Sequence, residues 1–454
     1  MFRDGLSYYF RTIIIFTIIR NSQNQLSMAT TKNLILKINN GDNKAFRGLY
    51  GNAPAELKRN AKRYTALLKQ FIKEFGNKDA EFYTSPGRTE IGGNHTDHNY
   101  GRVLAGAVNL DNVCIAARNN TNIIHILSEG YPKFGVDLSS LKPVKAEKYT
   151  SAALVRGICS RFKELGHAIG GFDACIDGGV PKGSGLSSSA SFEVLIGAIL
   201  SEMFNKGKVD PIKNAIIGQY SENNYFGKPC GLMDQTACAM GGLITIDFKD
   251  PSKPVVKKVK FDFVATGYSL VITDTGGSHA NLNEEYASLP VDMKAVAAEL
   301  GAKVLRQVSL DQVIEIIPKI RGKVGDRAIL RAIHFQGDNQ RVVDQVAALE
   351  RNDFKAFLGM VVDSGYSSYM YNQNIYPVIN VREQNVSLAL ALSELVLKGE
   401  GAWRVHGGGF AGTIQAFVPQ KLLNKYVKTL EHVYGKGSCH KLFIRHQGAG
   451  RVEL

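Results

Sequence analysis

Residues 178–191 read GGVPKGSGLSSSAS, and what surrounds this run constrains the chain more than any other feature. Before it, Phe172, Ala174 and Ile176 alternate with polar residues as in a half-buried strand. After it, Val194, Leu195, Ala198, Ile199 and Met203 return at helical spacing. A strand that leads through glycines into a helix leaves backbone N–H groups pointing outward at the positive end of the helix dipole, which suits an anion such as phosphate. The candidate cradle is Lys182, Gly183, Ser184, Gly185, Leu186, Ser187, Ser188 and Ser189. It is not a Walker loop, because Ser184 stands where a lysine would have to follow Gly183, and it is not the dinucleotide fingerprint, whose third glycine would fall at Ser188. A serine-capped helix start accounts for the same residues equally well.

The 454 residues suffice for two or three domains, and 44% apolar content supports a sizeable core. A net charge of +14 suits an anionic partner: a nucleotide, a nucleic acid or a membrane surface. Six scattered cysteines without a C-x-x-C pair resemble neither a zinc site nor a disulfide framework, which points to a reducing, cytoplasmic setting. The apolar run Thr12–Ile19 is too short to span a membrane, and residues 1–27 are expected to be a non-structural extension ahead of Met28. Apolar spacing predicts a helix over 54–75, with Pro54 at its start and Gly76 past its end. Strands are expected near Tyr83 and over 102–110, 123–127, 172–176, 268–273 and 441–445. Further helices are expected over 151–165, 291–300, 311–317, 327–365 and 422–434. Without regular β-α alternation the fold class is α+β, with a soft boundary near residue 260.

Three other segments carry chemistry. Ser85–Gly101 (SPGRTEIGGNHTDHNYG) gathers Arg88, Glu90, His95, Asp97 and His98 in a glycine-rich stretch that does not read as an ordinary buried element. Its polar groups suit sugar hydroxyls. The competing metal site at His95, Asp97 and His98 is disfavoured if the segment is a strand, since adjacent residues then face opposite ways. Cys230–Gly242 (CGLMDQTACAMGG) sets Asp234 among small and apolar residues, where a carboxylate is costly without a partner. Glu222 falls in a helical stretch at 214–226, where glutamates are usually solvent-facing. Gly407–Gly412 (GGGFAG) reads as a tight hairpin with glycines at positive φ.

Together, FRGLYG at 46–51, the segment 85–101, PxGxGLSSSA at 181–190, GLMDQ at 231–235 and GGGFAG resemble, in order and spacing, the signature motifs of the GHMP small-molecule kinases. The second of these resembles the galactokinase signature G-R-x-N-x-I-G-E-H-T-D-Y-N-x-G. The resemblance implies a GHMP kinase fold, with an N-terminal domain like the second domain of ribosomal protein S5 (28–260), a ferredoxin-like C-terminal domain (261–454), and Mg-ATP and a sugar between them. It implies Asp234 as catalytic base and Arg88 as its electrostatic partner. Ser188 and Glu222 fall on the magnesium ligands, and residues 182–189 on the ATP loop. Arg88, Asn94, His95, Asp97, Gly231, Asp234 and Tyr286, the last within EEYA at 284–287, fall on the sugar site.

The implied reaction is transfer of the ATP γ-phosphate to the anomeric hydroxyl of a galactose-type sugar. An ionised carboxylate takes the hydroxyl proton, a neighbouring arginine favours that ionised form and offsets charge on the transferring group, and magnesium needs only a few protein oxygens beside phosphate and water. The partners implied are a small sugar and Mg-ATP, with no nucleic acid or membrane, in a monomer or weak oligomer. The chain departs from the signature at Glu90, Gly92, Asn94 and His98, where Asn, Ile, Glu and Tyr are usual. The family glutamate faces the C6 end of the sugar, so Asn94 leaves galactose bound through an amide or admits galacturonate. A non-catalytic sugar sensor is the alternative from another class, and the intact Arg88, Asp234, Ser188 and GLSSSA favour the enzyme. A nucleic-acid binder rests on charge alone.

Overall fold

A computed structural model describes residues 31–39, 44–181, 185–228, 230–277 and 282–454. The expected extension at 1–27, Met28, and the loop residues Lys182, Gly183 and Ser184 lie outside the described residues.

Helices α1 (Thr31–Asn39), α2 (Lys44–Tyr50) and α3 (Pro54–Phe75) precede the first sheet. The third has the predicted bounds. Tyr64, Leu67, Leu68 and Phe71 bury one face, and Gly76 ends the helix at φ 81° with its N–H on Ile72 O, a conformation costly for any residue with a Cβ.

The sheet contains β1 (Glu81–Gly92), β2 (Arg102–Arg118), β3 (Ile123–Ser128), β4 (Phe134–Asp137), β5 (Phe172–Gly178), β6 (Leu243–Asp247), β7 (Val255–Val259) and β12 (Gly450–Arg451). Its order is β12-β1-β2-β5-β3-β4, with β6 and β7 continuing from the first half of β2. All pairs are antiparallel except β3 with β5. Alternation along β2 sends Val113, Ile115 and Ala117 toward α3. Cys114 and Ala116 face the other way, onto α4 (Ser151–Glu164) and α5 (Ser188–Asn205). Helix α5 is buried nearly all round, as its unbroken apolar composition requires. Helix α6 (Pro211–Ser221) runs into a π-helical turn at Glu222–Phe226, and α7 (Met233–Met240) follows.

The second sheet, β11-β8-β10-β9, comprises β8 (Tyr268–Asp274), β9 (Ala402–His406), β10 (Thr413–Pro419) and β11 (Cys439–Leu442). Around it lie α8 (Asn283–Glu299), α9 (Leu310–Val324), α10 (Asp326–Glu350), α11 (Phe354–Ser367), α12 (Asn385–Leu397) and α13 (Gln420–Tyr434). The helical section expected over 327–365 is two helices: Asn352 adopts φ 57°, and Asp353 caps α11 by accepting from Ala356 N–H at 3.0 Å. The architecture is α+β.

Two features join the sheets. A shared core brings Ile91, Leu104 and Leu186 against Leu270, Phe357 and Phe417. After the second sheet, residues 444–452 cross back to the first: β12 pairs with β1 at Tyr83 and Thr84, and Arg445 reaches Asp111 at 2.8 Å with both side chains fully buried. One expectation is corrected. Ser85–Gly92, which does not read as an ordinary buried element, is the second half of β1, a strand buried from Phe82 onward. Its charges tolerate burial because each has a partner, Arg88 on Asp234 and Glu90 on Arg404.

Candidate active site

The site forms where β1, α5 and α7 meet. Arg88 on β1 holds Asp234 in the first turn of α7 through two parallel bonds, Nε to Oδ1 and Nη2 to Oδ2, both 2.7 Å. The third guanidinium nitrogen donates to Gly185 O, and Arg88 N–H donates to Leu186 O at 3.0 Å, fixing the strand to the glycine loop. Ser187 Oγ donates to Asp234 Oδ2 at 2.5 Å. Burial works to raise the Asp234 carboxyl, but Arg88 and Ser187 outweigh it and hold it below the usual carboxylate range. Asp234 is thus ionised at neutral pH, and 31% of its side chain stays open to an incoming group.

Ser187 adopts φ 62°, a left-handed conformation that strains a non-glycine residue. It stands at the N-cap of α5, yet its hydroxyl turns to Asp234 and no side chain caps the helix. That separates the two readings of the loop, because the first turn of α5 keeps its N–H groups for another acceptor. Leu186 takes part through its backbone only, its side chain being fully buried in the core.

Glu222, expected on an exposed helix face, is 3% exposed. Gln235 Nε2 donates to both Glu222 Oε2 and Glu193 Oε2 at 3.0 Å, linking Glu222 to α7 and to α5, the helix that Ser188 opens. Burial and the adjacent Glu222 raise the Glu193 carboxyl well above its ordinary value. Sequence reasoning missed Glu193 and Gln235. A lone glutamate in the otherwise apolar run FEVLIGAIL was the available signal. Cys230, beside this cluster, has its thiol pushed up by burial and so stays protonated.

The GGGFAG hairpin organises the other wall. Gly407, Gly409 and Gly412 adopt positive φ as expected. Its carbonyls receive Asn94 Nδ2 on Gly407 at 2.8 Å, His95 Nε2 on Gly408 at 2.9 Å and Tyr286 OH on Gly409 at 2.8 Å. Burial, then His98, lowers the His95 imidazole to about 4, so it is neutral and its Nδ1 is left as an acceptor. His95–His98 is a turn rather than a strand, with the two rings stacked at 5.7 Å. Among the described residues no group of three His, Cys, Asp or Glu side chains is arranged to hold a metal. Asp97 lies against Gly231, where an added Cβ would come within 2.8 Å of Oδ2. The structure thus gathers Arg88, Asp234, Gly185, Ser187 and Ser188 on one side, and His95, Asp97, Gly231 and Tyr286 around them. Asn94 is the exception. It is fully buried, and its amide is committed to the protein rather than offered to a ligand. A cavity of about 1000 Å³ between α2 and the second sheet, lined by Tyr50, Phe263 and Phe443, lies apart from these groups.

Two family descriptions match the chain: the GHMP kinases N terminal domain over residues 153–242, and the galactokinase galactose-binding signature over residues 69–118. A galactokinase of Clostridium tetani is 29% identical over 403 residues, covering 87% of this chain and 99% of that protein. Among solved structures, Lactococcus lactis galactokinase complexed with galactose is similar at TM-score 0.73 and 24% identity, over 86% of this chain and all of the other. Methanococcus jannaschii mevalonate kinase is similar at TM-score 0.55 and 14% identity, over 80% of this chain and 98% of the other. Fold, site and similar proteins together indicate a phosphotransferase that acts on a small molecule and uses ATP as its substrate, similar to the GHMP kinases. Within that class the chain matches the galactokinase galactose-binding signature over residues 69–118, and it is similar to galactokinases.

Proposed function

We propose that this protein transfers the γ-phosphate of ATP to the anomeric hydroxyl of galactose, with Asp234 as base. The observation that carries the reading is the bidentate Arg88–Asp234 pair set against the uncapped start of α5, with Arg88 inside the galactose-binding signature. Asp234 Oδ accepts the hydroxyl proton as the anomeric oxygen attacks phosphorus, and ADP leaves with the bond to the β-phosphate oxygen. Arg88 holds Asp234 ionised and offsets charge on the transferring group, and the α5 N-terminus receives phosphate oxygens. His95, Asp97 and Tyr286 orient the sugar ring, with Gly231 giving Asp97 its room.

The residues fit magnesium. The Ser188 hydroxyl and the Glu222 carboxylate are hard oxygen donors on adjoining elements, and phosphate and water complete the shell of an ion that takes few protein ligands. When bound, the ion neutralises developing phosphate charge. Glu222→Gln is expected to raise the magnesium concentration needed for half-maximal rate at least about tenfold. An unchanged magnesium titration would remove Glu222 from this role.

The direct test of the reading is ADP release by the purified protein with Mg-ATP across galactose, N-acetylgalactosamine, glucose and mevalonate. Release with galactose supports it, and silence with galactose refutes it. The hairpin gives a second check. An alanine Cβ at Gly409 would stand 2.0 Å from Asn374 O at φ 79°, so Gly409→Ala must displace the carbonyls that hold His95 and Tyr286. A loss on the order of 10²-fold in kcat/KM for galactose is expected, and wild-type kinetics would show that the hairpin does not position the site.

A further inference from the structure

Position 94 is where the family signature carries the glutamate that faces the C6 end of the sugar, and in this chain that position has nothing to offer a ligand. Asn94 Nδ2 donates to Glu90 Oε1 at 3.0 Å and to Gly407 O at 2.8 Å, while Oδ1 accepts from Ser368 Oγ at 3.1 Å and Asn374 Nδ2 at 2.9 Å. A primary amide has two N–H groups and two lone pairs, so Asn94 is saturated. The carboxylate it touches is not. Glu90 Oε1 receives Asn94 and Arg404 Nη2, the latter at 2.8 Å, but Oε2 accepts no hydrogen bond among the described residues.

Glu90 follows Arg88 by two residues in a stretch of β1 with unbroken register, Arg88 opposite Ala107 and Glu90 opposite Ala105. Both side chains therefore leave the same face of the strand, about 7 Å apart along it. Burial raises the Glu90 carboxyl to about 7 against the opposing pull of Arg404 and the Asn94 bond, and the charges of Arg88 and Asp97 also bear on it, so it stands between the catalytic pair and the sugar-side turn. With the anomeric hydroxyl at Asp234, the opposite end of a pyranose comes to Glu90.

We infer that Glu90, rather than Asn94, is the acceptor that reads the 6-hydroxyl of the sugar. The chain has exchanged the asparagine and glutamate of the signature between positions 90 and 94, and the carboxylate stays at the C6 end. This inference rests on the galactokinase reading. It favours a sugar with a neutral hydroxymethyl group there, because a hydroxyl donates to Oε2 of the ionised Glu90, whereas a C6 carboxylate meets like charge or must keep Glu90 protonated.

The test measures kcat/KM of the full chain and of Glu90→Gln for galactose, 6-deoxygalactose and galacturonate. The wild type is expected to favour galactose over both analogues by on the order of 10²-fold or more, since either analogue leaves the site's acceptor without its donor. Glu90→Gln is expected to shift the galacturonate-to-galactose ratio upward at least about tenfold, which a merely structural role would not do, because it lowers all sugars together. If that variant fails to fold, the double exchange Glu90→Asn with Asn94→Glu carries the test. It returns the carboxylate to position 94 and is expected to keep the preference for galactose over galacturonate. Equal turnover of galactose and 6-deoxygalactose by the wild type, an unchanged ratio in Glu90→Gln, or a double exchange without galactose preference would overturn the assignment while leaving the galactokinase reading in place. A wild type that releases no ADP with galactose would overturn both.

Discussion

Asp234→Asn is expected to lower kcat for galactose by on the order of 10²- to 10⁴-fold, the range for loss of a positioned base, while the Kd for the sugar changes only a few-fold. The amide keeps the shape of the carboxylate and its single oxygen can still accept from Arg88 Nη2 and Ser187, but its NH2 then faces Arg88 Nε–H, it takes up no proton and it balances none of the guanidinium charge. The loss therefore falls on the chemical step, which single-turnover ADP release resolves from binding measured by calorimetry. A variant with a near wild-type rate would refute Asp234 as base. Equal losses in kcat and affinity would recast it as a binding residue.

The second large effect lies away from the chemistry. Asp111 is fully buried and receives Arg63 Nη1 at 2.6 Å, Arg445 Nη1 at 2.8 Å, Tyr50 OH at 2.8 Å and Thr84 Oγ1 at 2.5 Å. Arg445→Met removes one of two cations from a charge with no access to water, and breaking such a buried set costs about 3–5 kcal/mol. Urea melts at pH 7 measure it directly, and a change under about 1 kcal/mol would mean that water or Arg63 replaces the lost partner. The pH dependence has a definite sign. Burial works to raise the Asp111 carboxyl, Arg63 and Arg445 outweigh it, and the folded-state value lies below the ordinary one. The stabilisation is then complete above the unfolded value of about 3.9 and fades as pH falls through the lowered folded value. The stability margin of wild type over Arg445→Met should thus be widest near neutrality, with the two curves converging toward the lowest pH.

How far the sequence reveals this molecule varies with the range of the interaction. Helix α3 is legible because its apolar spacing, Pro54 and Gly76 are local signals that agree, and the hairpin is legible because glycines at positive φ are a backbone requirement. Arg88 and Asp234 were identifiable as residues through their motifs, but their bidentate pairing joins positions 146 apart and depends on how α7 docks under β1. The burial of Glu222 was illegible for a related reason: it depends on how α5 and α7 pack around it, with Gln235 bridging it to Glu193, and no periodicity announces that. Asn94 misled because a substitution was weighed alone. Its meaning depends on Glu90 four residues earlier, and only the structure shows that these two departures from the signature touch each other.

The return of residues 444–452 to the first sheet has a consequence for the order in which the protein is made. The strand that carries Arg88 and Glu90 borders, on its outer side, a segment the ribosome supplies only after the whole second sheet has been translated. Until then β1 presents an open edge, and Asp111 sits beside it with half of its cations missing. The catalytic half of the molecule therefore does not mature as the N-terminal piece of a nascent chain. It waits for its own tail, and the exposure of that edge during synthesis follows from topology rather than from size.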